Sequence, residues 1–188
     1  MEIKLPWYTY SSIRYLSKVL KKEFAVFEFG TGGSSLYYSS RVARVECVEH
    51  DMDWYNLVLN HIKYNKIKNV FCELKIPQKS IDSDETYKSV VFKEIYPNLS
   101  FEEYCKYIDS FPDSHFDLIA IDGRARVGSL KHSLSKIKPT GLILIDNSER
   151  VEYNAIRFAL VKAGWVEKTF KGPGPYSEKF WQTSIWNR

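Results

Sequence analysis

Acidic residues recur in this chain at one kind of place, the end of a short apolar run. Glu28 lies at the end of Ala25-Val26-Phe27, just before Phe29-Gly30-Thr31-Gly32-Gly33-Ser34-Ser35. Glu49 closes Val45-Glu46-Cys47-Val48, Asp122 follows Phe116–Ile121, and Asp146-Asn147 follows Leu142-Ile143-Leu144-Ile145. Packing does not need a carboxylate there, and unpaired buried charge is costly. The acids therefore read as ligand-binding or reaction groups. Gly30 and Gly32 let the backbone turn sharply and approach a ligand closely. The helix that follows offers free N–H groups. A glycine loop after a first strand, with an acid about 20 residues on, is a nucleotide-binding pattern. Glu49 is that acid, placed to accept hydrogen bonds from both hydroxyls of a ribose. The plainer reading makes Glu49, Asp51 and Asp53 charges at a helix N-terminus. Asp122 and Asp146 are candidate bases for a hydroxyl nucleophile. Their plainer roles are a turn at Asp122-Gly123 and a helix cap at Asp146. Arg124 and Arg126 either orient an oxygen-rich substrate or lie on a solvated helix face. Trp7, Tyr8, Tyr10 and His50 are candidates to close over a ligand. Tyr176, Trp181 and Trp186 read as core or rim.

These side chains converge only if the runs are adjacent strands of one sheet. Helical spacing of Ile13, Leu16, Val19 and Leu20 predicts a helix over Ser11–Lys22. Ala25–Phe29, Val45–Glu49 and Asn69–Leu74 read as strands, separated by helices over Leu36–Arg41 and Asp53–Tyr64. That alternation implies parallel strands with right-handed crossovers. Residues 76–100 break the rhythm with Pro77, Pro97 and the acidic Asp82-Ser83-Asp84-Glu85. They read as an insertion over one edge of the sheet, with extra strand over Tyr87–Ile95. Phe101–Ser110 reads as helix, Phe116–Ile121 as strand and Arg126–Ile137 as helix. Pro139–Gly141 reads as a turn into the strand Leu142–Ile145, followed by a helix over Val151–Ala163 stopped at Gly164. Trp165–Phe170 and Phe180–Trp186 are the last strands, joined by a Gly172-Pro173-Gly174-Pro175 turn. With no crossover helix between them, one of the two must run antiparallel. The expected fold is α/β: a doubly wound, mostly parallel, seven-stranded Rossmann-like sheet with an antiparallel last strand. Ligands of such sheets bind at the carboxyl ends of the strands, where the acids fall.

The 188 residues suit one domain able to bury a core. Net charge is +4, but the lysines are scattered in ones and twos, so the balance reads as solvated surface and a nucleic-acid partner is not expected. Cys47, Cys72 and Cys105 fit no zinc spacing and read as free, mostly buried thiols of a reducing, cytoplasmic setting. Met1–Trp7 has no signal-peptide core, and no apolar stretch is long enough for a membrane span.

Glu28-x-Gly30-x-Gly32, with an acid two residues before the first glycine, resembles motif I of class I S-adenosylmethionine-dependent methyltransferases. The resemblance extends over nearly the whole chain: Val48-Glu49-His50-Asp51 with Trp54, Asp122 after the fourth strand, Asp146-Asn147 after the fifth, and the closing antiparallel strands. It departs at Ser34, where the family's third glycine stands. It implies that Glu28, Gly30 and Gly32 hold the methionine part of S-adenosylmethionine and that Glu49 holds the ribose; Thr31, Ser34, Ser35, His50 and Asp122 complete the candidate cofactor-binding set. A negative site suits a sulfonium cation and disfavours the pyrophosphate of NAD. Asp122, Asp146 and Arg124 are the candidate catalytic groups. Asp-Gly-Arg-Ala-Arg followed by Asp-Asn-Ser-Glu-Arg resembles a branch that methylates sugars or other small molecules at a hydroxyl. Asp122, Asp146 and Asn147 are also similar to the Mg²⁺ ligands of catechol-type O-methyltransferases, although Arg124 and Arg126 would compete with a metal, so none is expected. The acceptor is then a small molecule or glycan. A homo-oligomer, or a non-catalytic nucleoside-binding module in a larger complex, stays open.

Overall fold

The computed structural model describes residues 5–80, 84–91 and 94–188. Its elements follow the chain as α1 (Tyr10–Val19), β1 (Ala25–Phe29), α2 (Gly33–Ser39), β2 (Arg44–Glu49), α3 (Met52–Tyr64), β3 (Val70–Leu74), β4 (Gln78–Lys79) and β5 (Leu99–Ser100). Then come α4 (Glu102–Lys106), β6 (Phe116–Ile121), α5 (Arg126–Ser133), β7 (Ile137–Asp146), α6 (Asn154–Lys162), β8 (Val166–Gly174) and β9 (Ser177–Asn187). The main sheet has seven strands in the order β3-β2-β1-β6-β7-β9-β8. β9 alone runs against its neighbours, as the missing crossover helix requires. This is the doubly wound sheet the alternation predicts.

The central strands are buried on both faces, which is why they read as unbroken apolar runs. Alternate residues feed two cores. Phe27, Phe29, Ile119, Ile121, Ile143 and Ile145 face one side. Val26, Cys47, Leu118, Ala120 and Leu144 face the other, beneath α1, α2 and α3. No helix among the described residues is long and apolar enough to cross a membrane. Cys47 and Cys105 are buried and Cys72 is half-buried, all three free.

Three expectations are corrected. The helix predicted to Ile137 stops at Ser133, and β7 begins at Ile137 and runs through Pro139-Thr140-Gly141. Phe116 pairs with Ile137 but Leu118 pairs with Leu142, so the intervening residues of β7 bulge out of the ladder and proline is tolerated there. Second, Gly172-Pro173-Gly174 belongs to β8, and the turn is Pro175-Tyr176. β8 is an edge strand, where proline costs no shared ladder bond. Gly174 is needed because a Cβ there would lie 2.4 Å from both the Trp181 ring and the Tyr8 carbonyl oxygen. Third, no ladder forms among the described residues of the Tyr87–Ile95 stretch: Glu85–Tyr87 is a single 3₁₀ turn and Lys88–Val91 is irregular. Residues 92–93, and Asp82 and Ser83 of the acidic patch, lie outside the described residues. The insertion carries its own two-stranded pairing, separate from the main sheet. The short β4–β5 pair ties its base, and Tyr87, Val90, Val91 and Tyr96 pack onto the core beside α4 and α5. Gly128 of α5 permits that approach, since its Cβ would lie 2.7 Å from the Thr86 carbonyl oxygen.

Candidate functional site

The carboxyl ends of β2, β1, β6 and β7, with the start of β9, wall a cleft of about 930 Å³. Glu28, Gly30, Thr31, Gly32, Ser34, Glu49, His50, Asp122, Arg124, Asp146 and Asn147 all line it. Of the residues singled out in the sequence, Ser35 is placed one layer behind: it is fully buried and its hydroxyl donates to Glu28 Oε2 and accepts the Gly32 N–H at 3.2 Å. Tyr8 also lies beneath the floor, its hydroxyl donating to Glu28 Oε1 at 3.3 Å. Tyr10 is exposed away from the cleft, whereas Trp7 and Trp181 are on its wall.

Gly30 takes a left-handed φ of +96° that favours glycine. Its N–H donates to the Val48 carbonyl at 2.9 Å, which stitches the loop to β2. Gly123 passes against it, and a Cβ on Gly123 would lie 1.9 Å from Tyr104 Oη and 3.0 Å from the Phe29 carbonyl oxygen. The two strand-end loops are therefore in backbone contact, and both glycines are needed. Trp54, on α3, braces the glycine loop: its indole N–H donates to the Thr31 carbonyl at 2.6 Å, and its ring lies under Gly32.

Glu49 is held rigidly. Its Oε2 accepts the Thr31 N–H at 3.1 Å, and its Oε1 accepts the N–H groups of His50 (2.7 Å) and Asp51 (3.0 Å). Three amides fix the carboxylate at the cleft wall and leave lone pairs for a ligand's hydroxyls. Asp51 caps α3 through the Trp54 N–H at 2.8 Å, so the plainer helix-start role belongs to Asp51. His50 Nδ1 lies 2.7 Å from Glu49 Oε1, and its Nε2 is 3.0 Å from Tyr96 Oη, which ties the insertion to the site. Glu28 has only hydroxyl partners in a fully buried setting, and burial pushes its carboxyl up to about 8.

At the other strand tips the organising group is Arg126. Its guanidinium, 4% exposed, donates to the carbonyls of Asp122 (3.2 Å), Gly123 (3.2 Å) and Asp146, to Asp122 Oδ1 (3.0 Å) and to Asn147 Oδ1 (3.4 Å). The solvated-face reading of Arg126 is thus corrected: it is buried as a clamp between β6 and β7. Asp122 is four residues before it, and Ala125 takes a left-handed φ of +44° between them. Asp146 Oδ1 accepts Thr183 Oγ1–H (2.6 Å) and the Trp181 indole N–H (3.1 Å). Both of these bonds end on Oδ1, and no hydrogen bond among the described residues reaches Oδ2. Burial, then the charge of Asp122, pushes the Asp146 carboxyl up to about 8. Burial also raises Asp122, against the pull of Arg126, Arg124 and Arg150. Among the described residues no three His, Cys, Asp or Glu side chains converge as a metal site. Where the resemblance allows Mg²⁺, a permanently charged guanidinium already bonds Asp122 and Asn147, so these residues do not fit the metal.

No protein-family model matches this chain, and no curated protein matches it by sequence. Solved structures match its fold. An rRNA methylase of Streptococcus thermophilus superposes with a TM-score of 0.63 at 10% identity, over 95% of this chain and 94% of that one. The precorrin-6y C5,15-methyltransferase of Geobacter metallireducens gives 0.63 at 14% identity, over 100% and 95%. TYW2 of M. jannaschii, solved in complex with AdoMet, gives 0.56 at 13% identity, over 98% and 80%. At such identities the likeness is one of fold, the Rossmann-like sheet of methyltransferases.

Proposed function

We propose that the chain is an S-adenosylmethionine-dependent methyltransferase that modifies a hydroxyl of a sugar or another small molecule without a divalent metal. The observation that carries this reading is the Glu49 carboxylate, fixed by three amides beside a close-packed glycine loop at one end of a large cleft. The neighbours' fold supports it, and so does the acidic lining, which suits a cation better than a pyrophosphate. The residues present fit the cofactor. Glu49 would take the ribose hydroxyls, the Gly30–Gly32 backbone would border the methionine part, and Glu28 would supply buried negative charge, ionising as the cation approaches.

Bound there, S-adenosylmethionine supplies an electrophilic methyl group, and its sulfur keeps the electron pair of the broken C–S bond as neutral S-adenosylhomocysteine. The chain's own part is to align the acceptor oxygen and remove its proton. Asp146 is placed to take that proton on Oδ2, with Oδ1 held by Thr183 and Trp181. Arg126 fixes the β6 and β7 tips and balances Asp122, and Arg124 lines the cleft after β6, over the Tyr96 ring, where it would orient the acceptor. The free thiols fit a reducing, cytoplasmic setting.

A methyl-transfer assay with labelled cofactor over sugars and phenols, with RNA as a control, tests this reading. Transfer to a small-molecule hydroxyl, unchanged within about twofold by EDTA, is the expected result. Loss in EDTA and recovery with Mg²⁺ would establish the catechol-type alternative. Methylation of RNA alone would overturn the acceptor assignment, and cofactor binding without any transfer would favour the non-catalytic nucleoside-binding module.

A further inference from the structure

Charge changes sign along the cleft. Following the sheet order, its wall passes from the tip of β2 to β1, β6, β7 and the start of β9. The β2 end carries Glu49, Asp51 and Asp53. The β7–β9 end carries Arg150 and Lys179, and Arg124 lies after β6 between the two ends. The acids that line this part of the cleft are already engaged. Asp122 pairs with Arg126, Asp146 accepts from Thr183 and Trp181, and Glu149 Oε2 accepts the Gln182 N–H at 2.9 Å. Neither Arg150 nor Lys179 has a side-chain ion pair among the described residues. The field of Arg150 does reach into the cleft, where it pulls down the Asp122 carboxyl against burial.

Aromatic surface accompanies these cations. The Trp7 ring is 51% exposed and stacks on Tyr176, with centroids 5.2 Å apart and planes at 26°. Phe180, next to Lys179, is 71% exposed on the same wall. Exposed aromatic rings lining a cleft are recognition surface for flat or ring-shaped groups. Arginine and lysine with no acid partner recognise phosphate or carboxylate through charge-assisted hydrogen bonds. The cleft volume is near the top of the usual range of about 300–1,000 Å³ for ligand sites, which allows a nucleoside cofactor and one small acceptor. Elsewhere the lysines are scattered and form no track for a polyanion.

We infer that the β7–β9 half of the cleft takes a small acceptor that combines a ring with a phosphate or carboxylate, the anion on Arg150 and Lys179 and the ring against Trp7 or Phe180. The inference rests on the methyltransferase reading and narrows its acceptor. The test uses the full chain saturated with S-adenosylhomocysteine, titrated in a calorimeter with two matched pairs: glucose 6-phosphate against glucose, and 4-hydroxybenzoate against phenol. At least one anionic member is expected to bind tenfold or more tightly than its neutral partner. The pair that shows the preference separates a sugar phosphate from an aryl acid. The double variant Arg150→Gln, Lys179→Gln is expected to lose that preference while S-adenosylhomocysteine binds with unchanged affinity. Equal binding within both pairs, no binding by any of the four, or a preference that survives the double substitution overturns the inference. So does an oligoribonucleotide that binds more than tenfold tighter than every small probe. Failure of S-adenosylhomocysteine itself to bind would instead overturn the methyltransferase reading beneath it.

Discussion

Glu49→Ala is expected to weaken S-adenosylhomocysteine binding by about 100-fold. A hydrogen bond to a charged group contributes roughly 1.5–3 kcal/mol. Losing two ribose hydroxyl partners on one carboxylate therefore costs about 3 kcal/mol, which is about two decades in affinity. The same carboxylate also accepts the N–H groups of Thr31, His50 and Asp51, so its removal frees the end of the glycine loop as well. Glu49→Gln separates the two contributions. The amide keeps the shape and one acceptor oxygen but loses the charge, so an intermediate affinity is expected. Calorimetry on both variants, with thermal unfolding to confirm that each is folded, provides the check. Wild-type affinity in Glu49→Ala would remove Glu49 from the ribose site.

Asp146→Asn should lower kcat by roughly 10²–10⁴-fold, the usual contribution of a positioned general base, with little change in cofactor affinity. Asparagine keeps an oxygen for Thr183 and Trp181 but cannot accept the acceptor's proton. The pH profile gives the sharper readout. With the Asp146 carboxyl raised to about 8 by burial and by Asp122, the group is protonated and inactive as a base at lower pH. The wild-type rate is therefore expected to climb with pH and level off above about 8, and the Asn variant to lose that climb. Asp122→Asn removes a neighbouring negative charge and should move the midpoint down. Stability runs the opposite way. A carboxyl with a raised folded pKa keeps its proton in the fold after the unfolded chain, with a pKa of about 4, has released it. Stability is thus full below about pH 4 and is lost as pH rises through about 8. The Asn variant, with no charge to bury, should unfold at a higher temperature than the parent above pH 8. A flat wild-type pH profile between 6 and 9 would count against Asp146 as the base.

The carboxylates were legible in the sequence because each sits where an apolar run stops, and buried parallel strands make those runs unmistakable. Glu28, Glu49, Asp122 and Asp146 all reach one cleft for that reason. Arg126 was not legible. Asp122-Gly123-Arg124-Ala125-Arg126 offers two arginines, and nothing in their spacing shows that Ala125 adopts a left-handed turn that carries the second one inward. The available hint was the short separation of four residues between Asp122 and Arg126, which lets the connecting loop fold an ion pair back on itself. The misplaced boundaries share a physical cause. Pro139-Thr140-Gly141 and Gly172-Pro173-Gly174 carry the residue types of turns, but a bulge absorbs the first and an edge strand tolerates the second. Local propensity does not contain either tertiary fact. The Tyr87–Ile95 stretch looks like strand because Tyr87, Val90 and Val91 are buried or half-buried beside α4 and α5, a role that needs no ladder, while Ile95 is exposed. Ser35 reads as part of the loop's ligand face, yet its position in the first turn of α2 points its hydroxyl back at Glu28.

The most direct test of the central claim is calorimetry on the unmodified chain with S-adenosylmethionine, S-adenosylhomocysteine and NAD. The geometry of Glu49 and the glycine loop predicts one-to-one binding of both sulfur nucleosides at roughly micromolar dissociation constants, with NAD weaker by at least tenfold. Binding of NAD alone, or of none of the three, would contradict it.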